Sequence, residues 1–189
     1  MKSLALYAGQ ANGLGASSVE AARQELQRLL TPIGVELIWK DLANRKSGEE
    51  FDHVVVGSFD GSCSEAELPV APRQVLEMTV SLADSSVSNG RVLPFFRIDC
   101  KYLVQLMAPA LRSMNTEQRQ TAIGRALARV MAHEIYHIMG QTTGHQDKGV
   151  AKASFSVHDL TADRFDFDVW SLAQMRPMPS IADTGELSR

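Results

Sequence analysis

Three observations place this chain in the α+β class. Short apolar runs at residues 4–8, 33–39, 53–59 and 91–98 carry strand-like patterning. From residue 101 onward helical periodicity takes over. Apart from one early helix, strands come first and helices last, which favours a mixed, twisted sheet with helices packed against it.

The 189 residues suit one domain, read as 1–189, with a sheet-and-helix part to residue 140 and a small C-terminal part over 141–189. A charged fraction of 22% against 44% hydrophobic residues is globular composition and gives no reason to expect disorder. The net charge of −3 argues against a nucleic-acid partner, which would call for a basic face. No apolar run approaches the roughly 18 residues that span a bilayer, so no membrane partner is expected. The start, MKSLALYAGQ, is too short for a secretory signal. The protein is therefore expected in the cytoplasm, or outside it if a signal has been trimmed.

Taken in order, LALYA (4–8) reads as a buried strand. A loop follows, and Ser17 with Glu20 forms a capping box for a helix to about Leu30. Gly13, Gly15 and Ser18 echo a dinucleotide fingerprint, but the third glycine is missing, so loop plus cap is the reading. IGVELIW (33–39) alternates as a second strand, and HVVVGSF (53–59) is apolar enough for a central third, with His53 an ordinary residue at its start. Residues 61–90 show weak patterning, with Pro69 and Pro72 marking irregular chain. RVLPFFRI (91–98) carries Pro94, which suits an edge strand. Cys63 and Cys100 each follow a strand-like run; one disulfide or two free thiols fit equally well.

Residues 101–114 form a helix ended or kinked at Pro109. Asn115, paired with Gln118, caps a long helix from Thr116 to Gly140. Ile123, Leu127, Val130, Met131 and Ile138 supply its buried stripe. Arg112, Arg119, Arg125 and Arg129 are read as a solvated helix face. Residues 158–175 give one or two further helices.

The long helix carries His133-Glu134-x-x-His137 near its C-terminal end. Positions four apart lie one turn apart on one face, so the two imidazoles can aim at a single point. A tetrahedral Zn²⁺ needs that convergence, with Zn–N distances of about 2.0–2.1 Å. Glu134 projects roughly 100° round the helix from His133, placing it to reach a water without ligating the metal. A catalytic site needs a third protein ligand and an open position. Gly140 is expected to adopt the left-handed conformation and return the chain, delivering His145 as that ligand. Asp147, His158 and Asp159 are its rivals.

HEIYHIMGQTTGH resembles the signature of the metzincin group of zincin metalloproteases, matching at His133, Glu134, His137 and Gly140. It departs at Thr143, which stands in the usual third-ligand place, with His145 two residues later. That later spacing is similar to small predicted bacterial zinc proteases whose histidine is followed by glycine, an aliphatic residue and methionine. Here His145, Gly149 and Val150 fit, and Ala151 replaces the methionine. The resemblance implies a zincin-like sheet, a long active-site helix and a small C-terminal helical lobe. It further implies a zinc metalloendopeptidase whose peptide or protein substrate lies along an edge strand, with 91–98 and its Phe95 and Phe96 as the candidate. The expected chemistry is peptide-bond hydrolysis by a metal-activated water, with Glu134 as general base. A zinc-binding module that retains the fold without turnover is the alternative.

Overall fold

The computed structural model describes residues 1–9, 13–44, 46–64 and 81–176. Five strands form one mixed sheet: β1 (Lys2–Ala8), β2 (Val35–Asp41), β3 (His53–Asp60), β4 (Ala83–Ser88) and β5 (Arg91–Asp99). Their spatial order is β2-β1-β3-β5-β4. The β1–β2, β1–β3 and β3–β5 pairs are parallel, and β4 runs antiparallel to β5. The helices are α1 (Ala16–Leu30), α2 (Cys100–Leu111), α3 (Thr116–Gly140), α4 (Val157–Thr161) and α5 (Val169–Met175).

Strand β1 lies between two parallel neighbours, and Leu4 to Ala8 are all buried, as a central strand requires. In β5 burial alternates: Val92, Phe96 and Ile98 point into the core and Phe95 out to solvent. Gly57 on β3 pairs with Phe96, and a Cβ at Gly57 would sit 2.4 Å from that ring. Glycine there lets the aromatic ring lie across the neighbouring strand.

Two sequence expectations about the sheet change. Strand β5 is interior, not an edge, because it pairs with both β3 and β4. Pro94 is tolerated because pairing with β3 starts at Phe95 and the β4 register breaks between Ser85 and Val87. The edge is β4, which falls in the 61–90 stretch read as weak. Pro69 and Pro72 lie outside the described residues. Cys63 and Cys100 pair as a disulfide, tying the chain just after β3 to the first residue of α2.

Among the helices, α2 runs two residues past Pro109, so the proline neither ends it nor marks its boundary. The cap of α1 is Gly15 with no side-chain bond; Ser17 lies inside the helix. The Asn115–Gln118 capping box of α3 is as expected, both reciprocal bonds being made. Every residue of α3 from Ala126 to Ile138 is buried, so this half of the helix is enclosed on all sides. It passes so close to α1 that a Cβ on Gly124 would sit 2.2 Å from the Ser18 carbonyl oxygen.

Three of the four arginines are not a solvated face, while Arg112 is exposed as expected. Arg129 is 0% exposed: Nε donates to Glu25 Oε1 at 2.8 Å, and its two Nη atoms donate to Asp159 O and Ala162 O, each at 2.7 Å. Arg119 donates to Leu111 O, and Arg125 to Asp163 O. With three arginines satisfying carbonyls, the helix is fastened to its neighbours rather than hydrated.

Candidate metal centre

Helix α3 presents His133 and His137 from successive turns, and the loop after it brings His145 to the same point. The ligand-capable atoms of the three lie within 4.8 Å of one another. His133 and His137 are buried and His145 is exposed, so the cluster has a protein floor and an open side.

The chain turns at Gln141, not Gly140. Gln141 adopts φ 47° and ψ 44°, in the left-handed region. Its side chain offsets the strain: Nε2 donates to Val92 O at 2.9 Å and to Ile138 O at 2.8 Å. Gly140 stays helical and serves as a close approach, where a Cβ would lie 3.2 Å from Gln174. Further on, Gly149 has φ 72°, and a Cβ there would meet Asp166 O at 2.6 Å. Backbone angle and space both demand glycine at that position. The turn it allows places Val150 O against His133.

Backbone carbonyls fix both buried imidazoles. His133 Nδ1 lies 2.8 Å from Val150 O, and His137 Nδ1 lies 2.8 Å from Thr142 O. A carbonyl only accepts, so each Nδ1 carries the proton and each Nε2 a lone pair. Those two Nε2 atoms face each other at 3.0 Å. Two lone pairs at that distance repel unless a cation or a proton lies between them. A proton is disfavoured, because burial pushes His133 down to about 4, against the Val150 hydrogen bond and reinforced by His137 and His145. Burial also lowers His137. A metal is the better occupant: ligands about 2.05 Å from a tetrahedral ion stand about 3.3 Å apart, close to the separation here. The donor set therefore fits a metal ion.

Glu134 is 4% exposed and projects beside this cluster. Ser85 Oγ, on β4, donates to its Oε2 at 2.5 Å. Burial raises the carboxyl to about 7; the Ser85 bond opposes the rise and the charge of Asp84 adds to it. Two hollows open on either side. One, of about 250 Å³, is lined by Leu82, Tyr102, Leu106, Val130 and Phe155. The other, of about 240 Å³, runs along Asp84, Ser85 and Val87 to Thr142 and His145. His133 and Glu134 line both, so the hollows form one cleft beside β4.

The structure thus gathers His133, His137, His145 and Glu134. Asp147, His158 and Asp159 stand outside the cluster. The Asp159 carboxylate is taken by Ser156, as the cap of α4, and by Lys152. Ala151, where the resemblance would have methionine, is fully buried, and Phe155 packs edge-on against His133 with ring centroids 5.4 Å apart. Three contributors escaped the sequence: Ser85, because its strand did; the Val150 and Thr142 carbonyls, which no side chain announces; and Phe155. Only Gly149–Val150 had left a trace, in the run after His145. Compared with protein families, curated proteins and solved structures, the chain matches none.

Proposed function

We propose that the protein is a zinc-dependent endopeptidase in which Glu134 is the general base. The observation that carries this reading is the pair of Nε2 lone pairs converging at 3.0 Å beside a buried carboxylate. Three imidazoles suit zinc far better than magnesium or calcium, which prefer oxygen ligands. Three protein ligands also leave a position open for chemistry. When bound, zinc supplies a Lewis acid that polarises a carbonyl and acidifies a water.

The chain's own residues do the rest. Ser85 holds Glu134 Oε2, leaving Oε1 to accept a proton from the attacking water. Glu134 then returns that proton to the departing amine. Burial raises this carboxyl in the metal-free protein, and a bound dication would lower it again, favouring the ionised form that a general base needs. Developing oxyanion charge would be met by backbone amides, a histidine or Tyr102, which lines the hollow beside Glu134.

The edge strands support a peptide substrate. On β2 the outward groups are already used: Gln27 bonds Val35 O and the Leu37 N–H, and Arg23 donates to Trp39 O. On β4, Leu82 O accepts from Asp99 N, which by the antiparallel alternation turns the backbone of Ala83 and Ser85 outward, toward the cleft. An extended peptide can add there as a further strand. This assigns to β4 the role first expected of 91–98; Phe96 is in the core and out of a substrate's reach. The Cys63–Cys100 disulfide supports the extracytoplasmic of the two locations.

Glu134→Gln should retain one zinc per chain and lose turnover of a quenched-fluorescence peptide library by about 10²–10⁴-fold. Turnover at the wild-type rate would overturn the assignment. One zinc per chain with no cleavage of casein or the library at any pH would favour the binding module instead, to which Ala151 and the displaced His145 also point.

A further inference from the structure

The ion group Glu25–Arg28–Arg129 lies outside the metal cluster, and no step above uses it. We propose that this group is a positioning device for His133: it fixes the Val150 carbonyl that orients the imidazole, and through it sets metal affinity. The inference rests on the metal-site reading.

A chain of hydrogen bonds leads outward from the ring. His133 Nδ1 donates to Val150 O, so the ring tilts as that carbonyl tilts. Besides the local bonds from Gln146 N to Ala151 O and from Lys152 N to Gly149 O, two contacts tie the Val150 region to more distant chain. Its own N–H donates to Asp166 O at 3.1 Å, and Lys152, two residues on, pairs with the Asp159 carboxylate. Both partners are anchored by the ion group. Arg28 pairs with Asp166 and donates to Phe165 O at 3.2 Å. Arg129 donates to Asp159 O and Ala162 O, filling two carbonyls at the C-terminal end of α4. Glu25 then joins the two arginines, accepting from Arg28 Nε and Arg129 Nε, each at 2.8 Å.

His137 gives the contrast. Its orienting carbonyl, Thr142 O, belongs to the turn that directly follows α3, where Thr142 N donates back to His137 O. Nothing in the ion group touches that turn. Loosening the group should therefore disturb His133 and spare His137. A residue that merely stabilised the fold would show no such asymmetry.

A mere folding role and a positioning role separate in the double variant Glu25→Met/Arg129→Met. Exchanging a whole buried ion pair for apolar side chains of similar size is commonly neutral or stabilising, whereas removing one partner is not. The full chain is titrated with Co(II), read by its visible absorption and by competition with a chromophoric chelator. In metal-free protein, solvent exchange of the His133 and His137 Nδ1 protons is read by NMR. We expect the double variant to unfold at a urea midpoint near the wild type, to bind Co(II) at least about tenfold more weakly, and to lose protection at His133 alone. Arg28→Ala, at a partly exposed site that can lose its side chain without unfolding the protein, should shift both readouts the same way by a smaller factor. Wild-type Co(II) affinity with a protected His133 proton, in a folded double variant or in Arg28→Ala, would overturn the proposal. Should the wild type itself take up no Co(II), the metal reading fails, and the proton-exchange comparison still decides the positioning claim.

Discussion

At the scale of single residues, the site stores an electrostatic cost that the fold tolerates. Glu134 is buried with one hydroxyl donor and, among the described residues, no cation partner, so its folded value lies above the ordinary 4.5, at about 7. A value raised on folding means stability fully present below 4.5 and lost as pH rises through 7. His133 works the other way: held down to about 4, it adds stability as pH rises from 4 toward 6.5. Glu134→Gln removes the first effect and keeps the second. In chelator-treated protein the variant should therefore be more stable than wild type at pH 8, by about 3 kcal/mol from the shift, and equal to it near pH 4. Urea unfolding at the two pH values measures this; equal stabilities at pH 8 would place the Glu134 carboxylate in a better-solvated setting. The ligand spacing was plain in the sequence because one helical turn is a local rule. Arg129 was not, because an arginine on a helix reads as hydrated until the partners 30 to 104 residues away are known.

Among elements, β4 is the strand on which the proposed substrate binding rests. It is short and polar, ADSSVS, and among the described residues no further strand pairs with its outer side, so neither periodicity nor apolarity marked it. Pro94 then drew the edge assignment to β5, because a proline signals an unpaired N–H without saying whether the strand ends or its partner does. The start of helix α3, by contrast, could be placed to the residue, since a capping box is written within four positions. The start of α1 shifted because Gly13, at φ 79° with no room for a Cβ against Ser64, sets the entering loop, and Gly15 becomes the cap. If the free edge of β4 receives the peptide, Ala83→Pro should remove an outward donor without breaking a β5 bond. Its zinc content and fold should match the wild type while KM for peptides rises about tenfold, the scale of one lost hydrogen bond to substrate. An unchanged KM would move the substrate off this edge.

For the molecule as a whole, the arrangement is a buried helix carrying two candidate ligands and a loop carrying the third. Helix α3 is enclosed over thirteen consecutive residues, Ala126 to Ile138, which fixes His133 and His137 relative to the sheet. His145 comes from the solvent side, on a loop braced by the Gln146–Lys152 bridge and the Gly149 turn. The α+β class and helix order were legible from patterning, while the meetings of Ser85 with Glu134 and of Val150 with His133 were not, because tertiary contacts between distant segments leave no periodic trace. Among the described residues no helix is long and apolar enough to cross a membrane. The most direct test is the zinc content of the purified chain by elemental mass spectrometry, beside His145→Ala. The account predicts one zinc per chain, with occupancy reduced in the variant at equal free zinc. No zinc in wild-type protein after incubation with the metal would contradict it.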